Sequence, residues 1–205
     1  MAGVASESGT DLSHYLLSET AEIRERFERN PLFVRAFADL VEPHAYRNLL
    51  AAFHGYYLIL ETLIRRRQQW LMAGLAKLRL NKAAWLEQDL QALGAMPGPA
   101  APLALLPRIQ CLPEAVGACF MSEYIAWNGE VVEKHLCLAL PQHCRDAIRF
   151  VTAYGRSRHM QWQRFLDWLD GNHWSEEDEQ LMRQAAWQGF SGLDEWLRCS
   201  LERKQ

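Results

Sequence analysis

Apolar residues recur every three or four positions along most of this 205-residue chain, a spacing typical of amphipathic α-helices. No stretch alternates apolar and polar residues between turn signals, as a half-buried β-strand does. Prolines and glycines divide the periodic stretches into segments of helical length. With 49% hydrophobic residues, the chain is long enough for one well-cored domain. The sequence therefore predicts an all-α, single-domain helical bundle.

Capping and breaking residues set the expected helix boundaries. Pro43 suits a first helical turn, Asn81 an N-cap and Gly94 a C-terminal stop. The expected helices are 12–30, 32–40, 43–74, 82–93, 113–140, 141–170 and 175–201. The segment 95–107 is too rich in proline and glycine for a helix and is expected to be an ordered connector. We take residues 1–11 as a flexible N-terminus and 12–201 as the domain.

Charge and composition exclude several function classes. A net charge of −3 gives no general attraction for nucleic acid or for an anionic membrane, and the run Arg65-Arg66-Arg67 is the local exception. The N-terminus does not resemble a signal peptide, and no uncharged stretch is long enough to span a bilayer. We therefore expect a cytoplasmic protein. Its five cysteines form no C-x-x-C pair, which argues against a disulfide framework and a zinc site.

The stretch SEYIAWNGEVVEKHL, residues 122–136, has helical periodicity but carries Asn128-Gly129 in its middle. Glycine inside a helix costs about 1 kcal/mol against alanine, and Asn-Gly is a turn signal elsewhere. The pair therefore either disturbs the helix or permits a close approach by another segment. Because the periodicity continues on both sides, we expect a bend that does not end the helix.

Several segments, taken in order, resemble the heme oxygenase family, in particular its bacterial, biliverdin-producing members. They are LLSETAEIRERFERNPLF, YRNLLAAFHGYYLILETLI, WLEQDLQALG, FVTAYGRSRHMQWQRFLDWLD and QAAWQGFSGLDEWL. The resemblance implies a compact all-α fold in which heme lies between a proximal first helix and a kinked distal helix.

The distal helix departs from the family pattern. Relatives carry a glycine-rich L-E-G-S-x-x-G-G stretch there, which lets backbone lie over the heme. MSEYIAWNGEVV falls on that stretch: Glu123 and Gly129 match, whereas residues 124–128 replace small or polar ones. We therefore expect Tyr124 or Trp127, or both, to project into the space that relatives keep for heme.

The proximal helix departs more sharply. The family's iron ligand is the histidine of a T-A-x-x-H pattern, and this chain reads Thr20-Ala21-Glu22-Ile23-Arg24. A guanidinium is always protonated and offers only donors, so Arg24 cannot ligate iron. Two interpretations stay open: a surface arginine paired with Glu28, or an arginine that reaches a carboxylate such as a heme propionate.

Other histidines are poor substitutes for the missing ligand. His14 lies ten residues before Arg24, about 15 Å away along a helix. Nothing in the spacing of His54 or His135 places either at the iron. The sequence therefore predicts no metal ligand and no catalytic residue.

Three functions remain as hypotheses, and whether the chain is an enzyme stays open. The first is a divergent member that has lost iron ligation and oxygenase activity, and that binds a tetrapyrrole or other small acid, or a protein partner. The second is an active heme oxygenase, with heme as substrate and cofactor, which releases biliverdin, iron and carbon monoxide. The third is a structural helical module that makes contacts through Trp174 and the Arg65 to Arg67 run. The candidate ligand-binding residues are Arg24, Tyr124, Trp127, Asn128 and Gly129.

Overall fold

The computed structural model describes residues 11–36, 43–67 and 79–202. Its α-helices are α1 (Leu12–Glu19), α2 (Ala21–Glu28), α3 (Pro31–Ala36), α4 (Pro43–Arg65), α5 (Lys82–Ala92), α6 (Leu112–Ala139), α7 (Arg158–Asp170) and α8 (Glu176–Glu202). The described ranges contain no β-strand, so the all-α prediction is confirmed. The expected flexible N-terminus, apart from residue 11, and the predicted ends of the second and third helices lie outside the described residues.

The predicted first helix over 12–30 is wrong in one respect, because two helices meet at Thr20. The Thr20 hydroxyl donates a hydrogen bond of 2.7 Å to the Leu16 carbonyl oxygen, and its backbone has φ −100° and ψ 2°. A threonine that bonds back to the preceding turn competes with the helical ladder and bends it. The bend lets α1 pack against α7 and α8 while α2 packs against α8.

The predicted helix over 141–170 is also wrong, since only α7 forms. Residues 141–157 contain turns and two short 3-10 helices, Gln142–Cys144 and Gly155–Ser157. The Asp89 carboxylate accepts hydrogen bonds from the backbone N–H of Arg149 (2.8 Å) and of Phe150 (2.9 Å). In a continuous helix those N–H groups would bond four residues back instead. A long-range contact therefore replaces the helix that local periodicity favours.

Helix starts follow the sequence signals in part. Before α8, the Ser175 hydroxyl accepts from Asp178 N (3.2 Å) while Ser175 N donates to the Asp178 carboxylate (3.1 Å), as the capping signal predicted. The Asn81 side chain does not cap α5. The Glu61 carboxylate of α4 takes this place and accepts from Lys82 N at 2.6 Å.

Helix α6 runs through the centre of the bundle. Residues 113–126 are buried without interruption, and α8 covers much of this length. A Cβ added at Gly117 would lie 2.1 Å from the Met182 carbonyl oxygen, so only glycine allows the two helices to come this close. None of the described helices is both long and apolar enough to cross a membrane.

Candidate functional site

Arg24 on α2 reaches across to α6, where its partner is Tyr124. One guanidinium nitrogen donates to the Tyr124 hydroxyl at 2.7 Å, and the other donates to the Leu17 carbonyl oxygen at 2.6 Å. The guanidinium carbon lies 4.5 Å from the centre of the Tyr124 ring, close enough for a cation–π contact. Arg24 therefore bridges the helices that correspond to the proximal and distal helices of the resemblance. Arg24 therefore does not form the ion pair with Glu28 that was the alternative interpretation.

Tyr124 and Trp127 belong to an aromatic cluster, Tyr124, Trp127, Trp162 and Phe190, which joins α6 to α7 and α8. The Tyr124 ring lies 5.7 Å from Trp127, 6.2 Å from Trp162 and 5.8 Å from Phe190 between ring centres. Trp127 stacks on Trp162 at 5.6 Å with 18° between the planes. These separations are those of directly packed rings, so the cluster leaves little space beside Tyr124.

Two polar side chains, His159 and Glu130, hold the outer edge of Trp127. Its indole N–H donates to Nδ1 of His159 at 3.3 Å, and Nε2 of His159 lies 2.6 Å from a Glu130 carboxylate oxygen. Both His159 and Glu130 are largely accessible to solvent. These contacts fix the orientation of the Trp127 indole from the solvent side.

A cavity of about 280 Å³ lies one helical turn further along α6. Its walls come from α2, α3, α4, α6 and the segment before α7. The lining residues are Phe27, Glu28, Phe33, Tyr46, Leu49, Leu50, Phe53, Ile125, Asn128, Gly129, Val131, Val132, Phe150 and Val151. Of the residues predicted from the sequence, Asn128 and Gly129 line this cavity, whereas Arg24, Tyr124 and Trp127 do not.

At Gly129, α6 and the segment before α7 approach each other closely in the cavity wall. A Cβ at this position would lie 2.6 Å from the Val151 carbonyl oxygen, a distance that real Cβ atoms do not reach. Helix α6 continues through Asn128-Gly129 without ending, as expected, and the expected bend stays a prediction. The close approach by Val151 supplies a physical reason for glycine here.

A buried ionic network lies on the opposite side of α6, around Glu123. Its carboxylate accepts from Arg79, from Lys82 Nζ at 2.5 Å and from the Tyr154 hydroxyl at 2.8 Å. Burial acts to lower the pKa of Lys82, but the adjacent Glu123 carboxylate, together with Tyr154 and Cys119, raises that pKa overall. Burial raises the pKa of Tyr154. The sequence showed only that Glu123 matches the family motif, because its cationic partners come from distant positions.

The three histidines considered as substitute ligands do not line the cavity. His14 is exposed and His135 half-buried. His54 is buried, its Nδ1 has no hydrogen-bond partner, and burial lowers its pKa. The cavity walls from α2, α3 and α4 were also missed by sequence reasoning, since apolar residues that line a cavity have the same spacing as apolar residues that fill a core.

Comparisons with known proteins agree with this architecture. The sequence model of the heme oxygenase family matches residues 10–198. A structure of the NO- and CO-bound heme oxygenase from Neisseria meningitidis is similar at 17% identity, with a TM-score of 0.75, over 95% of this chain and 94% of that one. The heme oxygenase from Leptospira interrogans is similar at 18% identity, with a TM-score of 0.72, over 92% of this chain and 98% of that one. Among curated proteins, none matches the chain. Because the family match extends over nearly the whole domain, the chain belongs to the heme oxygenase family.

Proposed function

We propose that this family member does not ligate heme iron and instead acts as a ligand-binding protein, with the cavity beside Gly129 as its site. One observation carries the proposal. At the position where the resemblance places the ligand histidine, Arg24 donates to the Tyr124 hydroxyl of the facing helix at 2.7 Å. The side chain that would have to approach iron thus closes the gap between the two helices.

The residues present do not fit an iron-ligated heme. A guanidinium has no lone pair to donate, and Arg24 also bonds to the Leu17 carbonyl and, at 3.3 Å, to the Thr20 hydroxyl. The aromatic cluster packs directly against it. The cavity of about 280 Å³ is roughly twice the size of an engineered cavity that holds benzene, and a tetrapyrrole is several times larger than benzene. We therefore derive no reaction step through heme.

A hemin titration followed by visible spectroscopy tests the proposal. We expect the wild-type protein to leave the hemin spectrum without a sharp Soret band. Arg24→His alone is expected to behave in the same way, because Tyr124 and Trp127 still occupy the space beside residue 24. Combining Arg24→His with Tyr124→Ala and Trp127→Ala is expected to open that space and produce a ligated spectrum.

The control for this titration is Arg24→Met with the same two alanine substitutions, which opens the space without supplying an imidazole. A stoichiometric Soret band with the wild-type protein would overturn the proposal.

The family match over residues 10–198 favours a second candidate, an active heme oxygenase. It requires a ligand other than Arg24, and the histidines at 14, 54 and 135 are the ones to test by alanine substitution. Biliverdin formed from hemin by the wild-type protein with an electron donor would establish this activity. If biliverdin is absent and hemin is not ligated, the first proposal stands.

A further inference from the structure

We propose that the cavity beside Gly129 takes a compact ligand with an apolar body and a cationic head group, rather than an acid. This inference rests on the proposed function, since it names the ligand class for the same cavity. The size of the cavity, the chemistry of its lining and the charge at its entrance each limit which ligand fits.

The size and lining set the body of the ligand. A cavity of about 280 Å³ accommodates about a dozen non-hydrogen atoms, when scaled from a 150 Å³ cavity that holds benzene. Four phenylalanines line it, at positions 27, 33, 53 and 150. Tyr46 is the polar side chain in the buried part of the cavity, and its hydroxyl already donates a hydrogen bond of 2.8 Å to the Ala147 carbonyl oxygen. An aryl or short alkyl body therefore fits, because a polar body would find few partners there.

The entrance sets the head group. Glu28 and Val131, which is 73% exposed, are the lining residues that solvent reaches most freely. Asn128 donates a long hydrogen bond of 3.4 Å to Glu28, which leaves most of the acceptor capacity of the carboxylate unused. A group that donates hydrogen bonds or carries positive charge is therefore favoured at this point.

No cation whose side chain the structure describes forms an ion pair with Glu28. The arginines that neighbour it in the sequence bond elsewhere: Arg24 to Tyr124, Arg26 to Asp194 at 3.1 Å and Arg29 to Glu25 at 3.7 Å. Lys134 lines an adjacent shallow depression, which shares Asn128 and Val131 with the cavity, but Lys134 itself does not line the cavity. An anionic ligand head would therefore lie beside an uncompensated carboxylate, whereas a cationic head would pair with it.

Three matched probes test the ligand class by isothermal titration calorimetry: phenylbutylamine, phenylbutanol and phenylbutyrate. They share one body and differ in head-group charge. We expect the amine to bind several-fold, up to about tenfold, more tightly than the acid, with the alcohol between them, because the exposed Glu28 carboxylate attracts the amine and repels the acid. The difference is expected to shrink as salt is added.

Two variants with matched controls locate the site. Glu28→Gln is expected to bring the three affinities within about twofold, whereas Glu22→Gln, at an exposed position six residues earlier on α2, leaves the order unchanged. Val131→Trp is expected to block the entrance and weaken the amine at least tenfold. Leu138→Trp, two turns along the same helix and 84% exposed, is its control.

The outcomes separate this inference from the function on which it rests. If none of the probes binds, or if the acid binds most tightly, the ligand class is wrong, even when hemin gives no Soret band. If hemin is ligated while the amine still binds and depends on Glu28, the proposed function fails and the cationic ligand class stands. An amine preference that survives Glu28→Gln also overturns the inference.

Discussion

The two halves of α6 differ in how their surroundings are filled. Residues 113–126 are all buried, with Tyr124 packed into the aromatic cluster and Glu123 inside an ionic network. From residue 127 onward the helix is partly exposed, and Gly129 borders an open cavity. Opposite Arg24, the bulky side chain of Tyr124 fills the space in the first half, whereas residue 129 in the second half is a glycine. In this structure the space opposite Arg24 is therefore occupied, and a cavity lies one turn later.

The difference also concerns what holds each half in place. The first half is fixed by charges and rings that have few alternative arrangements, so substitutions there should act mainly on stability. The second half is held by the close approach of Gly129 to the segment that Asp89 anchors, by the Glu133–Arg158 ion pair at 2.8 Å and by the contacts of Trp127 with His159. Substitutions there should act on the shape of the cavity as well. The following predictions test this division.

The largest effect is expected from Glu123→Gln in the first half. The change leaves Arg79 and Lys82, both almost fully buried, without a compensating charge, and breaking a buried ion pair costs about 3–5 kcal/mol. Urea unfolding measures the loss. Glu130→Gln, on the exposed side of the same helix, is the control and is expected to stay within about 0.5 kcal/mol. A loss below about 1 kcal/mol for Glu123→Gln would show that the network does not fix this half.

Gly129→Ala comes next and tests the second half. Alanine is the better helix former by about 1 kcal/mol, but its Cβ would lie 2.6 Å from the Val151 carbonyl oxygen. Overpacking of this kind costs about 1–3 kcal/mol, so we expect net destabilisation and a weaker affinity for the amine probe. Leu138→Ala, at an exposed position of the same helix, serves as the control and is expected to change neither property appreciably. A more stable Gly129→Ala protein would contradict the close approach.

The pH dependence of stability tests the anchor behind the cavity. Burial raises the pKa of Asp89 from 3.8 to about 6, although the N–H groups of Phe150 and Arg149 act to lower it. The folded state therefore binds this proton more tightly than the unfolded state. The contribution of Asp89 is most favourable below about pH 4 and is lost as pH rises through 6, by about 3 kcal/mol.

Asp89→Asn isolates this contribution, because the amide does not titrate. The difference in unfolding free energy between the wild type and the variant, measured by urea at several pH values, is expected to decrease from pH 4 to 7. A difference that does not change with pH would show that the Asp89 pKa is not raised.

The smallest effect is expected from Tyr124→Phe, which removes one acceptor of Arg24. A single hydrogen bond of this type contributes about 1 kcal/mol, and the Leu17 and Thr20 oxygens still hold the guanidinium. A double-mutant cycle with Arg24→Met measures the coupling between the two side chains. A coupling free energy near zero would mean that the contact between Arg24 and Tyr124 does not stabilise the packing of α2 against α6.

The sequence predicted more of the fold than of the candidate site. Helical periodicity with Pro43 and Gly94 as boundaries gave the element types and most helix ends. It failed at Thr20 and over 141–157, where a side chain bonded to backbone competes with the helical ladder. For the site, the sequence identified the two departures from the family pattern, at Arg24 and over 124–128. It did not identify the contact between Arg24 and Tyr124, since the residues are 100 positions apart.

The sequence by itself determined the helical class, the family and the absence of an imidazole at position 24, because these depend on residue type and local spacing. Only the tertiary structure determined which side chain Arg24 contacts, which glycine packs against a carbonyl oxygen and where the cavity lies. Those outcomes depend on helices that come from distant parts of the chain. Whether an apolar side chain fills a core or lines a cavity is set by what packs opposite it, which spacing along one helix does not encode.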